Sequence, residues 1–169
     1  MNEKAELLER FRRGPELVAS LTTGAAGAEL DWSPGEGKWT VRQIMCHLSD
    51  SEVVGTMRLR QIISEEKPLI QWYDEKLWAE KTDYHRRKPS VALETFRRLR
   101  AENYDLLKEL PDDAWSRIGV HSKTGEKTLY DFLRILAEHA EGHAKQLRDV
   151  RIAYKAFRQQ QLEAKGPNL

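Results

Sequence analysis

The chain has 169 residues, with 28 Lys plus Arg against 27 Asp plus Glu, five His and one Cys. That length suits a single domain spanning residues 1–169, and the near-neutral charge excludes the basic excess of a dedicated nucleic-acid binder. Lone Cys46 can form no internal disulfide, residues 1–20 lack the apolar core of a signal peptide, and no apolar run is long enough to span a bilayer. The expectation is a soluble cytoplasmic protein with neither a membrane nor a nucleic-acid partner.

Proline and glycine divide the chain into helical stretches. Residues 3–21 read as a first helix, with Gly14-Pro15 expected to kink or split it. Gly24, Gly27, Pro34, Gly35 and Gly37 mark a long connection. The Pro-free stretch 41–67 then repeats apolar residues at three and four (Val41, Ile44, Met45, Leu48, Leu59, Ile62, Ile63), and Thr40 with Gln43 predicts a capping box. Residues 70–84, with Trp72, Tyr73, Trp78 and Tyr84, read as an aromatic segment crossing one side. A third helix occupies 90–110, with Ser90 as its expected N-cap.

The last helix lies within 126–165, opened by Thr128 and Asp131 in capping-box spacing. Its inward stripe runs through Leu129, Phe132, Leu133, Leu136, Ala140, His143, Leu147, Val150, Tyr154 and Phe157. Lys145, Arg148, Arg151, Lys155 and Arg158 read as its solvated face. No alternating β series is present, so no sheet is expected. The fold class is all-α, a four-helix bundle, antiparallel or partly crossed.

His139 and His143 are the informative pair. Four residues apart on a helix, they project from one face, here the apolar one, with His143 at a seam position between Ala140 and Leu147 and His139 on its flank. Buried imidazoles need partners for both nitrogens, and a divalent cation supplies one to each ring. The alternative is one hydrogen-bonded core histidine beside one exposed ring. Ala140 follows His139, so this is no H-E-x-x-H motif, and Glu141 points away. The absence of any Glu-x-x-His pair disfavours a ferritin-like di-iron centre.

A third ligand could come from His47, His85 or His121. His85 lies among Arg86, Arg87 and Lys88, which repel a cation, and His121 sits in a loop. His47, near Ile44, Leu48 and Ser51, can face the bundle interior.

The run from Gly37 through Trp39, Thr40, His47, Leu48, Asp50 and Glu52 resembles the first signature of the DinB/YfiT-like proteins. The second is matched by Gly125, Thr128 and Leu129, followed by His139, His143, Gln146 and Leu147. The Tyr73, Asp74 and Trp78 segment also agrees, so the resemblance covers about residues 3–155. It implies a four-helix bundle, commonly a homodimer, with a divalent metal, zinc or nickel, held by His47, His139 and His143. Cys46 lies outside that pattern and reads as a buried apolar position.

Three neutral imidazoles leave the ion its full charge and an open position, suited to activating water for hydrolysis or a thiol for transfer. Small thiols such as bacillithiol or mycothiol, used by related proteins, make the second chemistry an expectation by analogy. The expected partner is therefore a small-molecule substrate. Asp50 is a candidate to orient a ligand ring, Glu52 and Glu138 are expected to face solvent, and Trp39, Trp72 and Trp78 are candidate pocket walls. The rival reading is a non-catalytic stress-response or interaction protein braced by its metal; four protein ligands would mark the brace and an open position the enzyme.

Overall fold

The computed structural model describes residues 3–164; residues 1–2 and 165–169, the ends of the expected 1–169 domain, lie outside the described residues. Four long helices form the bundle: α1 (Glu3–Thr22), α2 (Val41–Ser64), α4 (Pro89–Lys108) and α5 (Leu129–Ala164). A short helix, α3 (Glu75–Lys81), lies in the crossing segment. No helix among the described residues is long and apolar enough to cross a membrane.

The capping boxes at Thr40–Gln43 and Thr128–Asp131 both form. The third helix starts differently from expectation: Pro89 takes the first helical position after Lys88, and Ser90 lies inside the helix. Proline's preset φ and missing N–H suit that first position.

The core separates into two apolar layers. One holds Leu7 and Phe11 from α1, Leu59 and Ile62 from α2, Leu107 from α4, and Leu129 and Leu133 from α5. The other holds Val18, Ile44, Leu48, Phe96, Ala140 and Leu147. In chain order α1 and α5 cross from the first layer to the second, whereas α2 and α4 cross the other way. The helices therefore run up, down, down, up. Helix α1 packs on α5 and α4, and α2 packs on the same two, leaving α1/α2 and α4/α5 as the diagonals. Parallel α2 and α4 need a connection that returns the length of the bundle, which residues 65–88 provide.

A small sheet corrects the expectation of none. Strands β1 (Leu69–Ile70), β2 (Ile118–His121) and β3 (Gly125–Thr128) pair in the order β1-β2-β3, the first pair parallel and the second antiparallel. These strands are too short to show alternation. Gly119 lets β2 lie on α2, since a Cβ there would stand 2.8 Å from Ile62 Cγ1.

Between the layers lies a buried polar one. Arg100 donates to Glu52 at 2.6 Å and to the Phe11 carbonyl at 2.9 Å, and its guanidinium lies 4.0 Å from the Phe11 ring centroid and 4.8 Å from that of Phe96. Asn103 also donates to Glu52. Glu52 is 1% exposed, correcting its assignment to solvent: α2 packs against neighbours on several faces, so an inward position need not lie on its main stripe. Glu138 is exposed as expected.

Helix α1 runs unbroken through Pro15, where a kink or split was expected. Pro15 has no N–H for the Phe11 carbonyl four residues earlier, and Arg100 supplies the donor instead. Gly14 leaves room for this, as a Cβ there would stand 3.1 Å from both Arg100 Nη1 and Ala140 Cβ.

Arg100→Met alone should therefore destabilise the fold by about 3–5 kcal/mol, because it strands a buried carboxylate. The double variant Glu52→Leu/Arg100→Met should recover most of that loss. Urea unfolding of the wild type, both single variants and the double variant measures the coupling; additive losses would contradict a buried pair.

Candidate metal centre

Helix α5 turns Leu133, Ala137, Ala140, Ala144 and Leu147 inward. The alanines allow close helix approach, so His143 is displaced from the seam position expected of it. His139 and His143 lie half-buried along the stripe's edge, while Tyr154 and Phe157 at its far end pack on Trp32. His47 projects from the facing helix α2 and is the most buried of the three, at 1% exposure.

Their Nε2 atoms converge. His139 Nε2 lies 2.9 Å from His47 Nε2 and 3.1 Å from His143 Nε2. All three ligand atoms fall within 4.8 Å of one another, and among the described residues no fourth Cys, His or carboxylate joins the group. Three nitrogens bound to one tetrahedral ion stand roughly 3.3 Å apart, close to these spacings. His143 Nδ1 donates to Gln146 Oε1 at 2.8 Å, which leaves a lone pair on Nε2. His47 Nδ1 is buried without a partner, so that ring lacks the second hydrogen bond that orients His143.

A proton serves this arrangement poorly. Burial, then the His139 and His143 rings, push the His47 pKa down to about 2. Burial, then His143 and Arg100, push His139 down to about 3. Burial also lowers His143, opposed by Gln146 and Glu75. Converging Nε2 atoms on rings that resist protonation fit a divalent ion, which would take one lone pair from each ring.

The surroundings come from the connections. Trp39 meets His47 edge-on at 4.7 Å and stacks with His143 at 6.2 Å between centroids. Ser51 Oγ lies 3.3 Å from His47 Nε2 and 2.8 Å from the Tyr73 hydroxyl. Glu75 Oε2 lies 3.7 Å from His47 Nε2, at the start of α3, where the Asp74 side chain caps the helix. Ser51 and Gln146 were within reach of helical spacing, four and three residues after a histidine. Tyr73 stood out in the crossing segment but without a role at this site, and nothing local announced Glu75.

Other candidates go elsewhere. Asp50 accepts from the Tyr84 hydroxyl and Arg87, both at 2.8 Å, and so ties the crossing segment to α2 instead of orienting a histidine. Trp78 packs on Tyr73 at 4.7 Å, and Trp72 lies under Lys123. His85 is exposed, Glu141 pairs with Arg10, and His121 belongs to β2 rather than a loop. Cys46 is buried as expected, and burial pushes its thiol up to about 11, which leaves it a poor nucleophile.

The lowered histidine values carry a pH consequence. Below about pH 6.5 the unfolded chain binds protons on His47 and His139 while the metal-free fold leaves them neutral, so stability is complete above that pH and falls as pH drops. Between pH 6.5 and 5 the loss should be about 2 kcal/mol per ring. Chelator-treated protein unfolded at both pH values measures it, and equal stabilities would contradict neutral buried rings.

The family model of the DinB superfamily matches residues 10–147. A protein of Oceanobacillus iheyensis, named for an inferred metal-dependent hydrolase activity, is 33% identical over 129 residues, 76% of this chain and 74% of its own. YfiT of Bacillus subtilis, named in the same way, is 33% identical over 142 residues, 83% of this chain and 80% of its own. The solved structure of YfiT, described as a four-helix bundle of unusual topology, superposes with a TM-score of 0.83 at 28% identity, covering 89% of this chain and 87% of that one. A mycothiol-dependent maleylpyruvate isomerase shares the fold, with a TM-score of 0.69 at 18% identity over 85% of this chain and 60% of its own. With matching sequence signatures and the same bundle, the chain belongs to the DinB superfamily.

Proposed function

We propose that this protein is a divalent-metal-dependent hydrolase acting on a small molecule, with His47, His139 and His143 as the metal ligands and zinc or nickel as the ion. The observation that carries this reading is the convergence of three Nε2 atoms without a fourth protein ligand in the group. An open position favours an enzyme over a structural brace. The names of the relatives support hydrolysis.

His47, His139 and His143 would hold the ion as three neutral imidazoles, and a divalent ion so held would keep its double charge and supply Lewis acidity and an activated nucleophile. The chain's own residues organise the space around it. Gln146 fixes the tautomer and angle of His143. Trp39 closes one side against water. The Tyr73–Ser51 hydroxyl pair offers hydrogen bonds beside His47, and the Glu75 carboxylate stands next to the same ring, placed to accept a proton from a group bound there.

Transfer of a low-molecular-weight thiol is the second reading. The shared fold of a mycothiol-dependent enzyme favours it, and Glu75 is placed to accept the proton that a thiol bound there would release.

Protein purified without a polyhistidine tag should carry about one equivalent of zinc or nickel per chain by elemental analysis, and His143→Ala should lose it. Full metal retention by that variant would overturn the ligand assignment. Gln146→Leu should weaken metal affinity about 10–100-fold while the bundle still folds. Hydrolysis of ester and amide panels, compared with thiol conjugation to electrophiles, separates the two reactions; neither activity in metal-loaded protein would favour the brace.

A further inference from the structure

Alongside the histidine centre, between α2, α5 and the β2–β3 hairpin, lies a cavity of about 200 Å³ lined by Gly55, Arg58, His121, Lys127, Phe132 and Leu136, among others. Its floor is apolar and its polar groups are cationic or donors; none of its lining residues is acidic. Arg58 is half-buried, and Nη2 donates to the Gln71 carbonyl at 2.8 Å. Its Nε is buried without a partner, and no carboxylate among the described residues forms an ion pair with it. His121 Nδ1 accepts from the backbone N–H groups of Lys123 and Thr124 at 3.2 and 3.3 Å. Its ring proton therefore sits on Nε2, as a donor.

The charges here reinforce one another. Burial lowers the Arg58 pKa, and burial followed by Arg58, Lys127 and Lys123 lowers that of His121. A half-buried guanidinium without a counter-ion is costly unless a ligand supplies one. Arginine's planar fork matches a carboxylate.

The cavity lies on the two helices that carry the candidate centre. Leu136 lies one helical turn before His139, about 5 Å along the axis. Arg58 and His121 also line a second cavity that contains Tyr73 and Glu75. The Tyr73 ring lies 5.7 Å from the Arg58 guanidinium, and its hydroxyl is bonded to Ser51 beside His47.

We propose that this cavity is a subsite for a substrate carboxylate on a short apolar stem, with Arg58 as its principal partner and Lys127 and His121 completing the donor set. The stem lies on Phe132, Ile135 and Leu136, and the reacting end points to the histidines. This specificity role rests on the metal-dependent reading, although the cationic cavity is a separate observation.

Hexanoate and 1-hexanol, titrated into full-length, zinc-loaded protein and followed by NMR, test the assignment. Hexanoate should saturably shift the Ile135 methyls, the Phe132 ring and the Arg58 Nε–H, and bind at least tenfold more tightly than hexanol. Arg58→Gln should weaken hexanoate about tenfold with little effect on hexanol; Lys127→Gln, on an edge strand, gives the same test if the first variant folds poorly. His143→Ala should lose metal yet keep hexanoate. Equal binding of the two probes, shifts confined to residues outside the cavity, or wild-type hexanoate affinity in both cation variants would overturn the subsite. Wild-type protein that binds metal but not hexanoate defeats the subsite alone, whereas wild-type protein that binds hexanoate but takes up no zinc or nickel defeats the metal reading and leaves a carboxylate-binding cavity.

Discussion

Arg100 touches every long helix of the bundle. From α4 it bonds Glu52 of α2 and the Phe11 carbonyl of α1, and its Nη2 lies 3.4 Å from the Leu136 carbonyl of α5. A charge this deep must be matched by a carboxylate and by backbone acceptors, so the four helices can meet in few registers. That register sets the depth at which α2 and α5 face each other. His47 lies five residues before Glu52, and His139 three residues after Leu136. The polar layer that separates the two apolar layers thus also fixes the level of the histidine centre. Its cation helps keep His139 unprotonated.

The topology places the rest of the site. Because α2 and α4 run parallel, the chain between them must travel back along the bundle. On the way it lays Tyr73 and Glu75 beside His47 and ties itself to α2 through Asp50. The β2–β3 hairpin pairs with β1 from that same segment, bringing His121 and Lys127 opposite Arg58. An element required by connectivity thereby becomes one wall of the candidate centre and holds the hairpin that lines the cationic cavity.

Much of this was legible before the fold was known. Helical spacing and capping residues located the four long helices to within a few residues, and the i, i+4 pair at His139 and His143 stood out against an apolar stripe. The misreadings share a cause. Pro15 signals a break only if no outside donor reaches the Phe11 carbonyl, and Arg100 does reach it. Glu52 reads as solvent-facing only on a helix with one buried face, whereas α2 packs against α4, α5 and the crossing segment. Asp50 has the right spacing to help a histidine, yet Tyr84 and Arg87 claim its carboxylate. Strands of two to four residues carry no period to detect.

The near balance of 28 basic and 27 acidic residues excluded a broadly basic protein but was silent on where charges would lie uncompensated. By itself the sequence determined what depends on neighbours along one helix: the helices, their caps, and two imidazoles on one face. Only the tertiary structure decided which buried charges are paired and which are left open. It gave Glu52 to Arg100, left Arg58 without a carboxylate, and brought His47 to a pair of histidines some ninety residues away. Coulombic and desolvation energies depend on distance and burial in space, and neither quantity is written in the order of the residues.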